Sequence, residues 1–360
     1  MSRFVIAAPG SRRIAVQDAV VVEDDGEGEV VPADRAVPGF VDLHCHGALG
    51  HDFGSCTADE ARRVAGFHLD RGVTGLVASV ATAPLDEMRA AIARLRPLVA
   101  EGVLLGIHLE GPYLSPRRRG VHAPTLLRAP DHEEIRALLD AGQGAVRIVT
   151  IAPELPGATA AIAEVVAAGA VAAAGHTDAT ADEMRAAVDA GVSLVTHAFN
   201  GMRPLHHRDP GAIAVALADE RVTLELILDG RHVADEVVEL VRRLAPGRVA
   251  LVSDAMSATG CVDGRYDVAG SSVDVVGGVA RAAVEGAPAG STTPLGAAVE
   301  RFAALFGPSI DELAAVSSLT ASRLLGLSAP LTPGTRADAV VWTESGERRV
   351  LAAGRWRDTP

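Results

Sequence analysis

Residues 37–47, with the sequence VPGFVDLHCHG, end an apolar run with two histidines that are one residue apart, His44 and His46. In a β-strand successive side chains point to opposite faces, so the two histidines share a face and Cys45 points away. Two imidazoles on one face can bind a single metal ion. For the pair taken alone, two ordinary histidines are an equally good interpretation, because such short motifs arise by chance. Further ligands therefore have to be sought along the chain.

Seven more apolar segments rich in β-branched residues follow, at intervals of about 30 residues, which is one βαβ repeat. Including the first, they begin near Gly39, Thr74, Val103, Val146, Val171, Ser193, Val222 and Val249. The sequence TADE at Thr57 and again at Thr180 predicts that helices begin there, each with a capping box. Eight strand–helix repeats predict an α/β protein with a (β/α)8 TIM-like barrel over residues 38–330. A doubly wound open sheet is the alternative.

The segments on either side of the predicted barrel are rich in short β patterns. Residues 1–37 contain RIAVQDAVVVED, and residues 331–360 contain ADAVVWTESGERRVLAAGRW. We expect both ends of the chain to form one small β domain together. Residues 264–286 are typical of hairpins inserted after the last barrel strand.

The composition narrows the classes of partner and of metal site. The chain has 360 residues and a net charge of −13, and its one basic cluster is Arg117–Arg119, so we expect no nucleic-acid or membrane partner. We find neither a secretory signal nor an apolar stretch of membrane-spanning length, which predicts a cytoplasmic protein. Three cysteines without Cys-x-x-Cys spacing argue against a disulfide scaffold or a thiolate zinc site. The chain has no lysine, so a carbamylated-lysine bridge and a lysine Schiff base are both excluded.

In barrels of this kind the chemistry lies where strands end and the following loops begin. Five of the eight predicted strands end in a histidine or a carboxylate, and these residues are His44, His46, Glu110, His176, His197 and Asp254. Such nitrogen and oxygen donors suit zinc, iron(II) or manganese. A single histidine at a strand end is more often a hydrogen-bonded core residue, but five such strand ends favour a metal site.

The chain resembles the amidohydrolase superfamily, and within it the N-acetylglucosamine-6-phosphate deacetylase family. The resemblance runs nearly from end to end, and its segments include PGFVDLHCHG, HLEGPYLSPRRRGVH, GHTDAT, THAFNGM, RDPG, LILDGRHV and LVSDAM. The ordered series is specific to the deacetylases. The His-x-His pair alone would indicate only the superfamily.

The resemblance implies a divalent metal cofactor, with one or two ions per subunit; zinc is expected, and iron, manganese and cobalt are the alternatives. Glu110, His176 and His197 would hold the principal ion. His44 and His46 would hold a second ion that Glu110 bridges, with Asp254 close to the metal. Asp254 would take a proton from water and return it to the departing amine. His122, in RGVH, would lie against the acetyl carbonyl.

For the phosphate group, the resemblance implies binding by Arg208 and His232, with hydrogen bonds from Asn200 and from the backbone of Gly201. A solvated loop arginine and a histidine that caps a strand are the alternatives for Arg208 and His232. Members of the family complete the phosphate site across a dimer interface, so we expect a homodimer. The sequence assigns no role to Arg203, His206 and His207. Arg117–Arg119 belong either to a mobile loop over the site or to a solvated surface.

The expected reaction is metal-dependent hydrolysis of N-acetyl-D-glucosamine 6-phosphate to D-glucosamine 6-phosphate and acetate, in amino-sugar catabolism or recycling. One alternative is a deacetylase of N-acetylgalactosamine 6-phosphate or of another N-acyl compound, because the configuration at C4 of the sugar has no recognisable sequence signal. Another alternative is a non-catalytic sensor of amino-sugar phosphates.

Overall fold

The computed structural model describes residues 3–9, 13–282 and 288–357. In these residues the strands are β1 (Arg3–Ala7), β2 (Ile14–Gln17), β3 (Val20–Val22), β4 (Glu29–Pro32), β5 (Arg35–Pro38), β6 (Phe40–Cys45), β7 (Gly47–Ala48), β8 (His51–Asp52), β9 (Val73–Ala81), β10 (Gly106–Glu110), β11 (Val146–Ile151), β12 (Val171–Ala174), β13 (Val192–Val195), β14 (Thr223–Ile227), β15 (Val249–Val252), β16 (Gly264–Val268), β17 (Ser271–Val276), β18 (Val279–Ala282), β19 (Ala339–Trp342), β20 (Arg348–Ala352) and β21 (Arg355–Arg357).

The helices of the same residues are α1 (Ala58–Leu69), α2 (Leu85–Ala100), α3 (His132–Gly142), α4 (Ala158–Ala167), α5 (Ala181–Ala190), α6 (Gly211–Ala218), α7 (Asp235–Leu244), α8 (Leu295–Phe306), α9 (Ile310–Ala314) and α10 (Thr320–Leu324). A π-helical turn (Ala315–Leu319) joins α9 to α10. Within the described parts of the chain, no helix combines the length and the apolar character needed to cross a membrane.

The central sheet has eight parallel strands, β6 and β9–β15, which lie side by side in the order of the chain. β15 returns to β6, where the amide of His46 donates to the carbonyl of Ala255 at 2.8 Å and that of Asp254 donates to the carbonyl of His44 at 2.9 Å. The predicted (β/α)8 barrel is therefore confirmed, and the doubly wound alternative is wrong. The third strand begins at Gly106 rather than near Val103, because the amides of Val103 and Leu104 still bond to the last turn of α2.

The barrel strands are buried on both faces, which explains why they are almost continuously apolar in the sequence. Ile148 and Leu194 belong to one apolar cluster, whereas their neighbours Val149 and Val195 belong to another. Two of the enclosing helices, α1 and α5, begin with capping boxes made by Thr57 and Thr180, as predicted.

The N-terminal segment forms a four-stranded sheet, ordered β3-β2-β1-β4. Its strand β5 joins three C-terminal strands in a second sheet, ordered β21-β20-β19-β5. The two sheets share one apolar core, in which Phe4 and Ile14 from the N-terminal segment lie with Val341 and Leu351 from the C-terminal segment. The boundaries at about residues 37 and 331 stay a prediction, since β5 runs almost directly into β6.

The hairpins predicted after the last barrel strand are present as the antiparallel strands β16, β17 and β18. Residues 283–286 of the predicted segment lie outside the described residues. The tip of the first hairpin approaches the barrel mouth, where the Ser271 hydroxyl donates to the carbonyl of Val121 at 2.7 Å. The insert therefore packs against the loop that carries His122.

Candidate active site

The Glu110 carboxylate, at the end of β10, is the centre of a group of histidines and is only 3% exposed. Its Oε1 atom lies 3.1 Å from Nε2 of His176 and 3.0 Å from Nε2 of His197. Its Oε2 atom lies 3.1 Å from Nε2 of His46. Histidines from three other strand ends thus meet at one carboxylate.

The other two predicted ligands complete the group. His44 Nε2 lies 3.0 Å from His46 Nε2 and 3.6 Å from Glu110 Oε1. Asp254 Oδ1 lies 3.5 Å from His44 Nε2 and 3.4 Å from His46 Nε2. The structure therefore brings together all six residues that the strand-end argument selected.

The backbone at the strand ends aims these side chains. His176, His197 and Asp254 have φ angles of +45°, +28° and +45°, in a region of backbone conformation that residues other than glycine seldom adopt. Such conformations cost free energy and persist where the surroundings hold them, most often at functional sites. In this barrel the carbonyl of His176 accepts from the Ser115 amide at 2.9 Å, and the amide of Asp254 is bonded to β6.

In His44 and His176, a hydrogen bond at Nδ1 orients the ring so that Nε2 faces Glu110. Nδ1 of His44 lies 3.2 Å from Glu225 Oε2, and Nδ1 of His176 lies 2.8 Å from the carbonyl oxygen of Arg118. Both partners are acceptors, so each Nδ1 carries a proton, and in the neutral form of each ring Nε2 presents a lone pair. Lone pairs and carboxylate oxygens that face one another at about 3 Å repel unless a positive charge lies among them. This donor set fits a divalent cation.

The charges of the group itself attract cations. Burial opposes the charged form of His46, but hydrogen bonds to Asp254 and Glu110 raise its pKa to about 9. Burial likewise opposes the charged form of His44, whose pKa is nevertheless raised by the charges of Glu110 and Asp254. Protons and a metal ion therefore compete for the same nitrogen atoms, as in other histidine metal sites.

Glu225 is a site residue that the sequence analysis missed. It is fully buried in the middle of β14, where Oε2 accepts from the backbone amide of His197 at 3.1 Å as well as contacting His44. One carboxylate thus orients two of the predicted ligands. The sequence signal is an isolated acidic residue inside the apolar strand LELIL.

His122 lies in the loop after β10 and is buried, with Nε2 3.4 Å from Glu110 Oε2. Burial lowers its pKa to about 4, so the ring is neutral at pH 7. Nδ1 lies 2.9 Å from the Thr82 hydroxyl. The single proton of the Thr82 hydroxyl has two acceptors within reach, Nδ1 of His122 and the backbone carbonyl of Glu110 at 3.2 Å. When it is donated to Nδ1, the one N–H of the neutral ring is on Nε2, the nitrogen that faces the carboxylate. Thr82 is the second residue that sequence reasoning did not find.

A cavity of about 310 Å³ opens beside the carboxylate–histidine group, and its lining includes Asn200, Gly201 and His232. His232 is held by Asp229 at 2.8 Å. Burial alone would lower the pKa of His232, but the hydrogen bond and the charge of Asp229 raise it. Gly201 has φ +58°, and a Cβ atom there would lie 2.8 Å from Nδ1 of His176, so only glycine fits.

Arg208 is not brought to this cavity. It is exposed, and its guanidinium lies 2.9 Å from Nε2 of His207. The arginines that line the cavity are Arg117 and Arg118, which pair with Asp178. Arg203 also pairs with Asp178, and with Asp209.

Comparison with known proteins assigns this geometry to a class. The model of the Amidohydrolase family matches residues 35–356. Among curated relatives, N-acetylgalactosamine-6-phosphate deacetylase of Escherichia coli O157:H7 is 38% identical over 321 residues, covering 87% of this chain and 85% of the relative. N-acetylglucosamine-6-phosphate deacetylase of Vibrio furnissii is 33% identical, with 86% and 82% covered.

Solved structures agree. The Mycobacterium smegmatis N-acetyl-D-glucosamine-6-phosphate deacetylase, solved as a mutant in complex with N-acetyl-D-glucosamine-6-phosphate, is 40% identical, with a TM-score of 0.93 and 99% of each chain covered. The Thermotoga maritima N-acetylglucosamine-6-phosphate deacetylase has a TM-score of 0.87 and 32% identity, with 99% and 98% covered. The chain therefore belongs to the amidohydrolase family, whose members are metal-dependent, and within it to the N-acetylglucosamine-6-phosphate deacetylases.

The buried contact of Glu225 with His44 makes a measurable prediction. In Glu225→Gln the acceptor that orients the ring is weakened, and we expect zinc affinity to fall about 10- to 100-fold, as for comparable outer partners of metal ligands. Competition with a chelating dye on metal-free protein measures the affinity. Glu87→Gln, at an exposed position of α2, is the control. Equal zinc affinity in both variants would contradict the orienting role of Glu225.

Proposed function

We propose that this chain hydrolyses the amide bond of N-acetyl-D-glucosamine 6-phosphate to give D-glucosamine 6-phosphate and acetate, with zinc as its metal. The observation that carries the proposal is the group of histidines around Glu110, which opens into a cavity that also contains His232 and Asn200. The named activity of the relatives supports the same reaction. A phosphorylated substrate does not leave the cell readily, and we place the enzyme in the cytoplasm.

In this proposal Glu110, His176 and His197 would hold the principal ion, and His44 and His46, beside Glu110, would offer a second position. A bound divalent cation lowers the pKa of water from 15.7 to about 7 and polarises a carbonyl group. The protein residues supply the remaining functions, which are to hold the substrate and to move protons.

Asp254 is the proposed general base and then the general acid. Burial favours the neutral form, but in the metal-free site the charge of His44 and the hydrogen bond to His46 keep the pKa of Asp254 below its usual range, and a bound cation would act in the same direction. The group is therefore a carboxylate at neutral pH and can accept a proton from the attacking water. It then returns the proton to the amide nitrogen, because an amine leaves poorly unless it is protonated.

His122 is the proposed donor to the acetyl oxygen as negative charge develops there. In this proposal the proton of the neutral ring is on Nε2, beside the cavity, and the Thr82 hydroxyl donates to Nδ1. A single preorganised donor of this kind contributes about 3 to 4 kcal/mol to the stability of the transition state.

The phosphate is the proposed partner of His232, Asn200 and Gly201, which line the cavity together. The raised pKa of His232 favours the charged ring, which attracts an anion. We further propose a homodimer in which Arg208 of each subunit reaches the phosphate bound by the other. This arrangement requires Arg208 to lie at the surface, outside the cavity of its own subunit, and it does.

The reaction is tested by acetate release from zinc-loaded protein. We expect turnover of the sugar phosphate by the native chain and a loss of at least about a hundredfold in kcat for Asp254→Asn, because general acid–base catalysis contributes about 10² to 10⁴. Binding of the substrate without turnover would instead identify a sensor and contradict the proposal.

The second candidate substrate is the C4 epimer, N-acetylgalactosamine 6-phosphate, which the name of the 38%-identical relative favours. Measuring kcat/KM for both epimers in the same assay decides between them. A larger value for the galactosamine compound would replace our assignment while leaving the deacetylase reaction intact.

Recognition of phosphate by Arg208 has its own test. A charge-assisted hydrogen bond is worth about 1.5 to 3 kcal/mol, so Arg208→Ala should raise KM for the sugar phosphate about tenfold or more. The same variant should act on unphosphorylated N-acetylglucosamine as well as the native protein does. Arg185→Ala, an exposed arginine of α5, is the control. Equal losses with both sugars would rule out a contact with the phosphate.

A further inference from the structure

Asp178 receives ion pairs from three arginines of two other loops, although the proposed reaction gives it no role. Its Oδ1 atom lies 2.8 Å from Nε of Arg118, and its Oδ2 atom lies 3.3 Å from both Arg117 and Arg203. The Asp178 side chain is only 11% exposed. One carboxylate therefore joins the loop before His122 to the segment that follows Asn200.

The backbone of Asp178 is itself fixed. Its amide donates to Glu154 Oε1 at 2.7 Å, and the neighbouring Thr177 hydroxyl donates to Oε2 of the same glutamate at 2.5 Å. The amide of Thr177 donates to the carbonyl of Gly201 at 3.0 Å, and its carbonyl accepts from the amide of Arg203 at 3.1 Å. The carboxylate thus projects from a rigid turn, two residues after the predicted ligand His176.

The loop that Asp178 holds touches His176 directly. The carbonyl oxygen of Arg118 accepts the Nδ1 proton of His176 at 2.8 Å, which is the contact that turns Nε2 towards Glu110. A Cβ atom on Gly120 would lie 3.1 Å from Cε1 of the same ring, so the backbone packs closely against it. The side chain of Arg118 is anchored by Asp178 while its carbonyl orients the ring. The same loop continues to His122.

We propose that Asp178 is a positioning residue, whose ion pairs with Arg117, Arg118 and Arg203 keep the carbonyl of Arg118 on His176 and His122 at the cavity. The proposal rests on the proposed deacetylase function, since it gives His176 the role of a metal ligand. It also gives the three arginines a common role in the fold of the site.

Zinc affinity tests the proposal independently of turnover. We expect metal-free Asp178→Asn to bind zinc about tenfold more weakly than the native chain, the lower end of the range for lost outer contacts of a metal ligand. Because His122 is also displaced, kcat at saturating zinc should fall more than KM rises. Asp178→Glu keeps the charge and should recover part of both losses.

The matched control is Asp182→Asn, the same substitution four residues further along, at an exposed aspartate that pairs with Arg185. We expect no change in zinc affinity or in kcat. Thermal unfolding of each variant checks that the chain has folded, and Arg118→Gln replaces Asp178→Asn if the latter does not fold. In both cases the expected loss of zinc affinity is the same.

Two results would overturn the proposal. Unchanged zinc affinity with a raised KM for the sugar phosphate alone would show that the arginines act on the phosphate and that Asp178 only neutralises them. Additive losses of zinc affinity in Asp178→Asn combined with Arg118→Gln would show that the two residues act independently. Failure of the native chain to release acetate, with these zinc affinities as expected, would contradict the proposed function instead.

Discussion

A buried carboxylate surrounded by imidazole nitrogens is the constraint on which the site depends. Glu110 is almost fully buried, and a charge in that position is costly unless opposite charge lies close to it. His46, His176 and His197 approach its oxygens to within about 3 Å, with ring nitrogens that present lone pairs or share protons. Positive charge has to be present among these atoms, either as protons on the rings or as a divalent cation, which would also activate water.

The barrel makes this arrangement possible because parallel strands end at one rim, so distant parts of the chain deliver side chains to one place. At this rim His176, His197 and Asp254 have unfavourable backbone angles. Hydrogen bonds to neighbouring strands and loops stabilise these conformations. A second set of contacts, from Glu225 and from the carbonyl of Arg118, selects the ring nitrogen that faces inwards. Precision at the site thus comes from partners that lie outside the predicted ligand set.

The sequence predicted the barrel and the six converging residues because both depend on periodicity and on strand ends, which are local patterns. It did not predict Glu225, since its contact with His44 links residues 181 positions apart. The carbonyl of Arg118 could not be found either, because any residue type supplies a backbone oxygen. The resemblance placed Arg208 at the phosphate, yet the residue is exposed and lies outside the cavity of its own chain, a position that no local sequence pattern reveals.

The most direct measurement is anomalous diffraction, at the zinc absorption edge, from crystals of the zinc-loaded protein. We predict an anomalous peak at Glu110 with zinc–nitrogen distances of about 2.0 to 2.1 Å to His176 and His197. A separate buried group, Asp42, Cys45 and His68, has ligand atoms close enough together to serve as an internal comparison. A peak at that group with none at Glu110 would contradict the claim that Glu110 and its histidines hold the metal.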